Sequence, residues 1–370
     1  MSPHLYSAEF VFPGHPDKLS DAIADAVVLE ASRRERRALV GVEVAVHRRH
    51  VFITGRIGCE NADSIDIEAL VREVYRSAGY DADWYPSPDE VHVETDLCLG
   101  PLEEGEAEFR VLADDQAICI GYANDLVPTG HLPVEHWLAQ RLARRLYHLR
   151  AEQPDLALGP DGKVIVAVRE TDAAWALDTF SCSLQQRADA DAVGLHRAVR
   201  VAIEEEMQQL SVLLPGLAAA LPERLAVNGA GAFEVGGPEG DNGLSGKKLV
   251  MDAYGPRVPI GGGAWSGKDF FKADRAGALH ARRIAKFIVQ LGLAREAQVN
   301  LLWTPGAREA RIVAIQTPAG SAVKRDAIAA SVDCSLGTSG MEFPIADLVE
   351  AARWGHFTHP GYPWERSAKL

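Results

Sequence analysis

A chain of 370 residues is too long for one hydrophobic core of ordinary size, so two or three domains are expected. Its formal net charge of −14 at pH 7 excludes nucleic-acid binding by overall attraction, although a local cluster of cations can still hold a polyanion. Five cysteines without paired spacing, no signal peptide and no long apolar run predict a cytoplasmic protein without disulfides or a membrane span.

Hydrophobic periodicity predicts alternating helices and strands along the whole chain. In chain order these are a helix over 17–31, strands over 40–46 and 50–57, a helix over 65–78, a strand over 117–122, a helix over 134–151, strands over 163–169 and 176–184, a helix over 191–210, a strand over 248–253, a helix over 275–291, and strands over 299–302 and 310–316. Polar segments over 101–108 and 154–162 are predicted connectors. The pattern indicates an α+β protein with domains over 1–100, 113–235 and 236–370.

The segment over 236–275 carries the most specific chemistry. It contains two glycine-rich loops, GGPEGDNG and GGGAWSGKD, and four lysines: Lys247, Lys248, Lys268 and Lys272. Glycines let backbone N–H groups approach an anion closely, and ammonium groups neutralise phosphate oxygens. Asp269 and Asp274 in the same run are suited to Mg²⁺. A solvated basic loop is the alternative, but the combined pattern favours polyphosphate binding without a P-loop motif.

A second cluster, GHPDK over 14–18, precedes the first predicted helix. Pro16 and Asp17 are ordinary helix-start residues and need no functional explanation. His15 and Lys18 are not explained in this way. A histidine at a helix N-terminus, beside a carboxylate and a lysine, can donate a hydrogen bond to a phosphate or a leaving oxygen.

Taken together, these motifs resemble those of S-adenosylmethionine synthetases. The resemblance covers the whole chain and rests on GHPDK with the following DAIADA helix, DDQ at 114–116, PDGK at 160–163, GGPEGDNGLSGKK, GGGAWSGKD with KADR, and GHF and PWE near the C-terminus. It implies three similar α+β domains around a pseudo-threefold axis, and a homodimer or dimer of dimers with active sites between subunits. It also implies that methionine sulfur attacks C5′ of ATP. Triphosphate then leaves and is hydrolysed to phosphate and diphosphate.

The resemblance also implies roles for residues at matching positions. Residues in the catalytic group are His15, Lys163, Lys268 and Lys272. Residues expected to bind ATP and its phosphates are Asp115, Asp161, Phe233, Asp241, Lys247 and Lys248. Mg²⁺ is expected at Asp17 and Asp274, and an activating K⁺ at Glu43.

The second-substrate pocket departs from the family pattern. Arg56 stands where the family usually has a glutamate that receives the methionine ammonium group. Trp303 replaces a small aliphatic residue, and the acidic segment over 98–108 replaces a loop that carries a glutamine. These changes are either neutral or a remodelling in which Arg56 and Trp303 shape a different pocket.

Three functions therefore stay open from the sequence. The first is a methionine adenosyltransferase with a variant amino-acid pocket. The second is an adenosyltransferase for another small nucleophile, which Arg56 would allow to be anionic. The third is a non-catalytic regulatory subunit, but His15, Asp17 and Lys268 would have no purpose in it.

Overall fold

The computed structural model describes residues 4–171, 174–321 and 323–366. The strands are β1 (His4–Val11), β2 (Leu39–His47), β3 (His50–Gly58), β4 (His92–Gly100), β5 (Ala117–Asn124), β6 (Leu158–Thr171), β7 (Ala174–Gln186), β8 (Arg224–Val227), β9 (Gly243–Leu244), β10 (Glu296–Trp303) and β11 (Arg311–Gln316). The α-helices are α1 (Pro16–Arg34), α2 (Ile67–Ala78), α3 (Glu106–Phe109), α4 (Val134–Glu152), α5 (Ala192–Leu213), α6 (Gly237–Gly240), α7 (Leu249–Asp252), α8 (Ala273–Gln290), α9 (Arg325–Ala329), α10 (Leu336–Glu342) and α11 (Leu348–Trp354). Single 3₁₀ turns occur at Ala62–Ser64, Pro88–Glu90, Val127–Thr129, Pro154–Leu156 and Pro363–Glu365.

The strands form three sheets, in the orders β1-β6-β7-β8, β11-β10-β5 and β4-β3-β2-β9. Each sheet combines strands from one third of the chain with a single strand from another third. The first strand, β1, pairs antiparallel with β6 of the central third, while β5 of the central third pairs with β10. In turn β9, from the last third, pairs with β2 near the N-terminus. The predicted α+β class is confirmed, and the domain boundaries stay a prediction.

Helices cover one face of each sheet. The sheet containing β2 packs on α1, the sheet containing β6 packs on α4, and β5 and β10 pack on α8. Along β2, Val40, Val42 and Val44 are buried while Glu43 is exposed, because successive strand residues point to opposite faces. None of the helices in the described ranges combines the length and the apolar character that crossing a bilayer requires.

Most predicted helices and strands are present with slightly different ends, but the strand predicted over 248–253 is wrong. Those residues form the short helix α7, whose Asp252 carboxylate accepts a buried hydrogen bond from Lys18 at 2.6 Å. An apolar run this short shows neither a helical nor a strand period. The predicted connector over 154–162 is also partly wrong, because β6 already begins at Leu158.

A close contact between β5 and α8 fixes the position of the third sheet. A Cβ atom added at Gly121 of β5 would lie 2.0 Å from the carbonyl carbon of Ala281 in α8. Only a glycine allows this separation, because helix backbone cannot move aside as a flexible side chain does.

We expect Gly121→Ala to lower the free energy of unfolding by at least about 2 kcal/mol, because the helix must shift to relieve overpacking. Urea denaturation of purified protein measures this loss. Gly229→Ala is a matched control, since its added Cβ would find the nearest atom, Cβ of Ala226, at 3.8 Å. Equal stability of the two variants would contradict the interpretation of this contact.

Candidate functional site

Both glycine-rich segments lie along one edge of β2. On the first segment, the N–H of Ser245 donates to the carbonyl of Val44 at 2.9 Å. On the second, the carbonyl of Gly267 accepts the N–H of Val42, also at 2.9 Å. The edge of one strand therefore brings together two loops that are about twenty residues apart in the chain.

Three aspartates of α1 bind the backbone of these loops. Asp17, Asp21 and Asp25 are four residues apart and therefore lie on one face of the helix. Their carboxylates accept hydrogen bonds from three backbone N–H groups of the loops, those of Leu244, Gly246 and Gly267, at 3.1, 2.7 and 3.0 Å respectively. These three residues were not predicted as a set from the sequence, although acidic residues spaced by four along a predicted helix indicate one acidic face.

Cations balance the buried carboxylates of this face. Arg275 at the start of α8 donates two hydrogen bonds to Asp25, at 2.6 and 2.7 Å, and both side chains are fully buried. Lys18 is fully buried as well and donates to Asp21 at 3.0 Å. Lys18 is therefore part of the support beneath the loops, which explains a residue that helix-start chemistry left unexplained.

The first lysine cluster surrounds Asp17. Lys248 donates to one carboxylate oxygen at 2.8 Å, and the Nζ atom of Lys247 lies 3.7 Å from the other. Burial alone would raise the pKa of Asp17, but the hydrogen bonds from Lys248 and from the Leu244 N–H outweigh it and lower that pKa. Asp17 is consequently ionised at neutral pH.

His15 caps the N-terminus of α1, and its Nδ1 atom accepts the N–H of Asp17 at 3.2 Å. The proton of the neutral ring is therefore on Nε2, which is free to donate. Burial, followed by the positive charges of Lys248 and Lys163, lowers the pKa of His15 to about 4. At neutral pH the side chain is thus an uncharged hydrogen-bond donor.

The GHPDK and PDGK motifs contact each other. A Cβ atom at Gly14 would lie 2.4 Å from the carbonyl oxygen of Pro160, so glycine is required there. The next residue along, Asp161, accepts the N–H of Gly237 from the first glycine loop at 2.7 Å. Burial raises the pKa of Asp161 to about 6, and the negative charge of Asp241 adds to that effect.

The second lysine cluster lies at the start of α8. Lys268 forms an ion pair with Asp274, and Lys272 forms one with Asp114. The Cε atom of Lys272 is 3.9 Å from the place where Gly41 of β2 would carry a Cβ atom. In the described residues, both clusters therefore hold their lysines against carboxylates.

The remaining predicted residues lie at the margins of the two clusters. Glu43 is exposed between the loops and accepts a hydrogen bond from the Ser245 hydroxyl at 2.9 Å. Phe233 is half-buried beside Gly236, and Lys163 pairs with Glu9 at 2.6 Å. Asp115 and Asp241 are exposed. Each carboxylate accepts the N–H of the residue that follows it, at 2.7 and 2.8 Å respectively.

The two residues predicted for the second-substrate pocket lie apart. Arg56 on β3 donates to Glu106 of α3 at 2.7 Å, so its charge is already partnered by the acidic segment. Trp303 is completely buried among the side chains between β10 and α8, and its ring contacts Gly277 of α8. In a single subunit Trp303 therefore does not line an open pocket.

Three family models match consecutive parts of the chain. They describe the N-terminal, central and C-terminal domains of S-adenosylmethionine synthetase and match residues 3–97, 110–233 and 235–366. Together they account for nearly the whole sequence.

Similar proteins and a solved structure agree with these matches. The chain is 32% identical to the S-adenosylmethionine synthase of Deinococcus radiodurans, covering 98% of this chain and 95% of the relative. It is 34% identical to S-adenosylmethionine synthase 1 of Frankia casuarinae, covering 99% and 97%. A solved structure of an unusual S-adenosylmethionine synthetase from Campylobacter jejuni aligns with a TM-score of 0.86 at 26% identity, covering 98% and 97%. The predicted fold is confirmed.

We expect Asp25→Asn to lower the free energy of unfolding by about 3–5 kcal/mol, because Arg275 would become a buried charge without a counter-ion. Urea denaturation measures the change. Asp63→Asn removes the same charge from an exposed position without an ion pair in the described ranges, and should change stability by less than about 0.5 kcal/mol. A small effect at Asp25 would show that the pair does not support the loops.

The lowered pKa of His15 predicts how the stability of the fold depends on pH. Since its folded pKa is about 4, the unfolded chain binds a proton that the folded chain excludes as the pH falls from about 6.5 towards 4. Stability should fall over that window, and His15→Asn, which keeps a capping side chain, should reduce the fall. The C2-proton resonance that disappears in this variant identifies His15, and its titration near pH 6.5 would refute the prediction.

Proposed function

The chain belongs to the S-adenosylmethionine synthetase family, and we propose that it forms S-adenosylmethionine from ATP and L-methionine, releasing triphosphate that is then hydrolysed to phosphate and diphosphate. The observation that supports this most is the convergence of two lysine-bearing glycine loops on one edge of β2. A long polyanion such as triphosphate can span both loops, whereas a single phosphate would need only one of them.

The reaction is an in-line displacement at carbon, so it requires no covalent enzyme intermediate. Holding sulfur, C5′ and the leaving oxygen in line can contribute about 7–11 kcal/mol. The leaving triphosphate gains negative charge as the C–O bond breaks, and fixed cations stabilise that charge. Lys248, Lys268 and Lys272 are suited to this role, since each is only partly exposed.

His15 would donate its Nε2 proton as a hydrogen bond to a triphosphate oxygen or to the leaving oxygen. A neutral donor at pH 7 fits this role, because the leaving triphosphate is a good leaving group and does not need a proton. A buried Asp161 and the half-buried ring of Phe233 would seat the nucleoside, and Asp115 and Asp241 would complete its contacts.

The residues present fit Mg²⁺ that shares its ligands with phosphate. No group of three or more His, Cys, Asp or Glu side chains within the described ranges is arranged to bind a metal alone. One carboxylate in each cluster, Asp17 or Asp274, would supply a ligand, and phosphates and water would supply the others, as Mg²⁺ usually requires. When bound, Mg²⁺ neutralises part of the triphosphate charge. Glu43 would hold K⁺.

A homodimer, or a dimer of dimers, would place each ATP site between two subunits. The lysines of both clusters keep an exposed surface, from 45% for Lys247 to 16% for Lys248. The second hypothesis, an anionic nucleophile attracted by Arg56, loses support, because Glu106 already neutralises that guanidinium.

An assay with ATP, Mg²⁺ and K⁺, with and without methionine, tests the function when adenosyl products and triphosphate are followed by mass spectrometry. We expect S-adenosylmethionine in proportion to the phosphate and diphosphate that arise from triphosphate, and a loss of kcat of about 10²–10³-fold for Lys268→Met. Lys324→Met, at an exposed position away from both clusters, is the control. Triphosphate release without methionine dependence would favour another nucleophile, and absence of ATP binding would leave a regulatory subunit.

A further inference from the structure

A cavity of about 630 Å³ lies between α4, the loop that follows β5 and the C-terminal segment after α11. Its volume is typical of small-molecule sites. Lys286 of α8 lines it about three turns beyond Asp274, so the cavity is roughly 18 Å along that helix from the second lysine cluster. One face of α4 forms a wall, because the lining residues recur every three or four positions: Trp137, Gln140, Arg141, Arg144, Arg145 and His148.

The inner part of the cavity is mostly apolar but contains a buried amide. Leu132, Trp137 and Phe357 line it and are each at most 6% exposed. Gln140 lines it as well and is 4% exposed, yet its amide makes no hydrogen bond to any residue in the described ranges. A buried amide without a partner is costly, so a molecule that supplies both a donor and an acceptor gains affinity here.

His131 lines the same cavity and offers a hydrogen-bond acceptor. Its Nδ1 atom lies 2.7 Å from the carbonyl oxygen of Asn124, which can only accept, so the ring proton is on Nδ1 and Nε2 is an acceptor. Burial lowers the pKa of His131, and the ring is therefore neutral at pH 7. The backbone at His131 has a φ of 66°, and Arg282 holds this loop by donating to the carbonyl of Gly130 at 2.6 Å. Backbone kept in this region is common at ligand sites.

Arginines form the rim of the cavity. The side chains of Arg141 and Arg144 are each 38% exposed. The guanidinium of Arg144 lies 4.9 Å from the ring centroid of Trp354 and, among the described residues, donates one hydrogen bond, to Glu350 at 3.3 Å. Such an exposed pair is weak, so an anion can compete for the guanidinium. In a chain of net charge −14, this lining has more cations than carboxylates: Arg141, Arg144, Arg145 and Lys286 against Glu206 and Glu365.

We propose that this cavity binds a purine nucleoside monophosphate with an amino group on its base, at a site separate from the catalytic one. The base would lie between the inner aromatic side chains, where Gln140 and His131 would bind its edge. The phosphate would lie at the rim, on the free donors of Arg144 and Arg141. This inference goes beyond the proposed function, because the ligand is neither a substrate nor bound by the glycine loops.

The hydrogen-bonding groups favour adenine as the base. A glutamine amide pairs with adenine through N6 and N7, and the second N–H of the adenine amino group can then donate to Nε2 of His131. Hypoxanthine has an oxygen in place of that amino group and would set one acceptor against another. Inorganic phosphate would meet the arginines but leave Gln140 without a partner. The aromatic lining adds stacking for a planar base.

Calorimetric titration of the purified protein with AMP, without methionine, tests the site. We expect Gln140→Leu and Arg144→Gln each to raise the Kd for AMP at least about 10-fold, since they remove the contacts to the base and to the phosphate. Leucine fills a similar space without an unpartnered amide. Arg197→Gln is the matched control for charge, because Arg197 is an exposed arginine of α5 without an ion pair in the described ranges. Equal weakening at 144 and 197 would overturn the proposal.

Related ligands test recognition of each part of the nucleotide. IMP lacks the amino group, adenosine lacks the phosphate, and ribose 5-phosphate lacks the base. Each should bind wild type at least about fivefold more weakly than AMP. Gln140→Leu should abolish the preference for AMP over IMP, and Arg144→Gln should abolish the preference over adenosine. Ribose 5-phosphate binding as tightly as AMP would reduce the site to an anion site and refute the proposal.

A catalytic-site variant shows where AMP binds. Phe233→Ala changes the ring proposed to seat the nucleoside of ATP, and AMP binding in the cavity should persist in it. Binding that Phe233→Ala weakens and Gln140→Leu leaves unchanged would be at the catalytic site, and this result, like no binding of AMP at millimolar concentration, would overturn the inference. Gln140→Leu should keep the wild-type melting temperature and, without AMP, the wild-type kcat. If wild type binds AMP as described but makes no S-adenosylmethionine, the proposed function fails and this inference stands.

Discussion

The acidic face of α1 is the constraint on which the rest of the site depends. Three carboxylates at positions 17, 21 and 25 are removed from water, and a buried carboxylate is stable only when donors and cations surround it. The donors here are backbone N–H groups of the glycine loops, and the cations include Lys18 and Arg275. The glycine loops thereby gain a defined shape, and their lysines gain defined positions.

The electrostatics of the clusters follow from this support. In the described residues, Lys248 faces Asp17 and Lys268 faces Asp274, so each of these two lysines already has a carboxylate partner. Such pairs limit mutual repulsion among the lysines before a nucleotide arrives. A bound triphosphate would take over the lysines, and the released carboxylates would then be free to contribute to Mg²⁺ binding. The pairing therefore suits a site that alternates between empty and highly anionic states.

The sequence was sufficient for the local parts of the site and insufficient for the distant ones. The spacing of glycines and lysines identified both loops, because the residues that give each loop its chemistry are close together in the sequence. The support from Asp25 and Arg275 was missed, since these residues are 250 positions apart and look like ordinary polar helix residues. The same limit applies to Arg56, whose charge suggested an anionic substrate until the fold placed Glu106 beside it.

The fold was predictable to a similar degree. Long periodic segments gave the main helices and hairpins, but β1 and β9 carry too little pattern of their own and are defined by partners in other thirds. The strand expected over 248–253 failed for a related reason, because the pairing of Asp252 with Lys18 is a tertiary contact. The residue roles implied by family resemblance stay predictions, and Trp303, expected in the second-substrate pocket, is buried between β10 and α8 in a single subunit.

Each third of the chain contributes one strand to a sheet of another third, and this arrangement has a consequence for biosynthesis. During translation β1 emerges long before β6, and β5 long before β10, so each remains an unpaired edge on the nascent chain until its partner is made. Open edges of this kind attract other polypeptides, and long-range pairing slows folding. The first of the interlocked sheets cannot be finished until the ribosome has released residues up to Val227, and the last until residues up to Gln316 are free. Premature termination products of this chain are therefore candidates for rapid proteolysis.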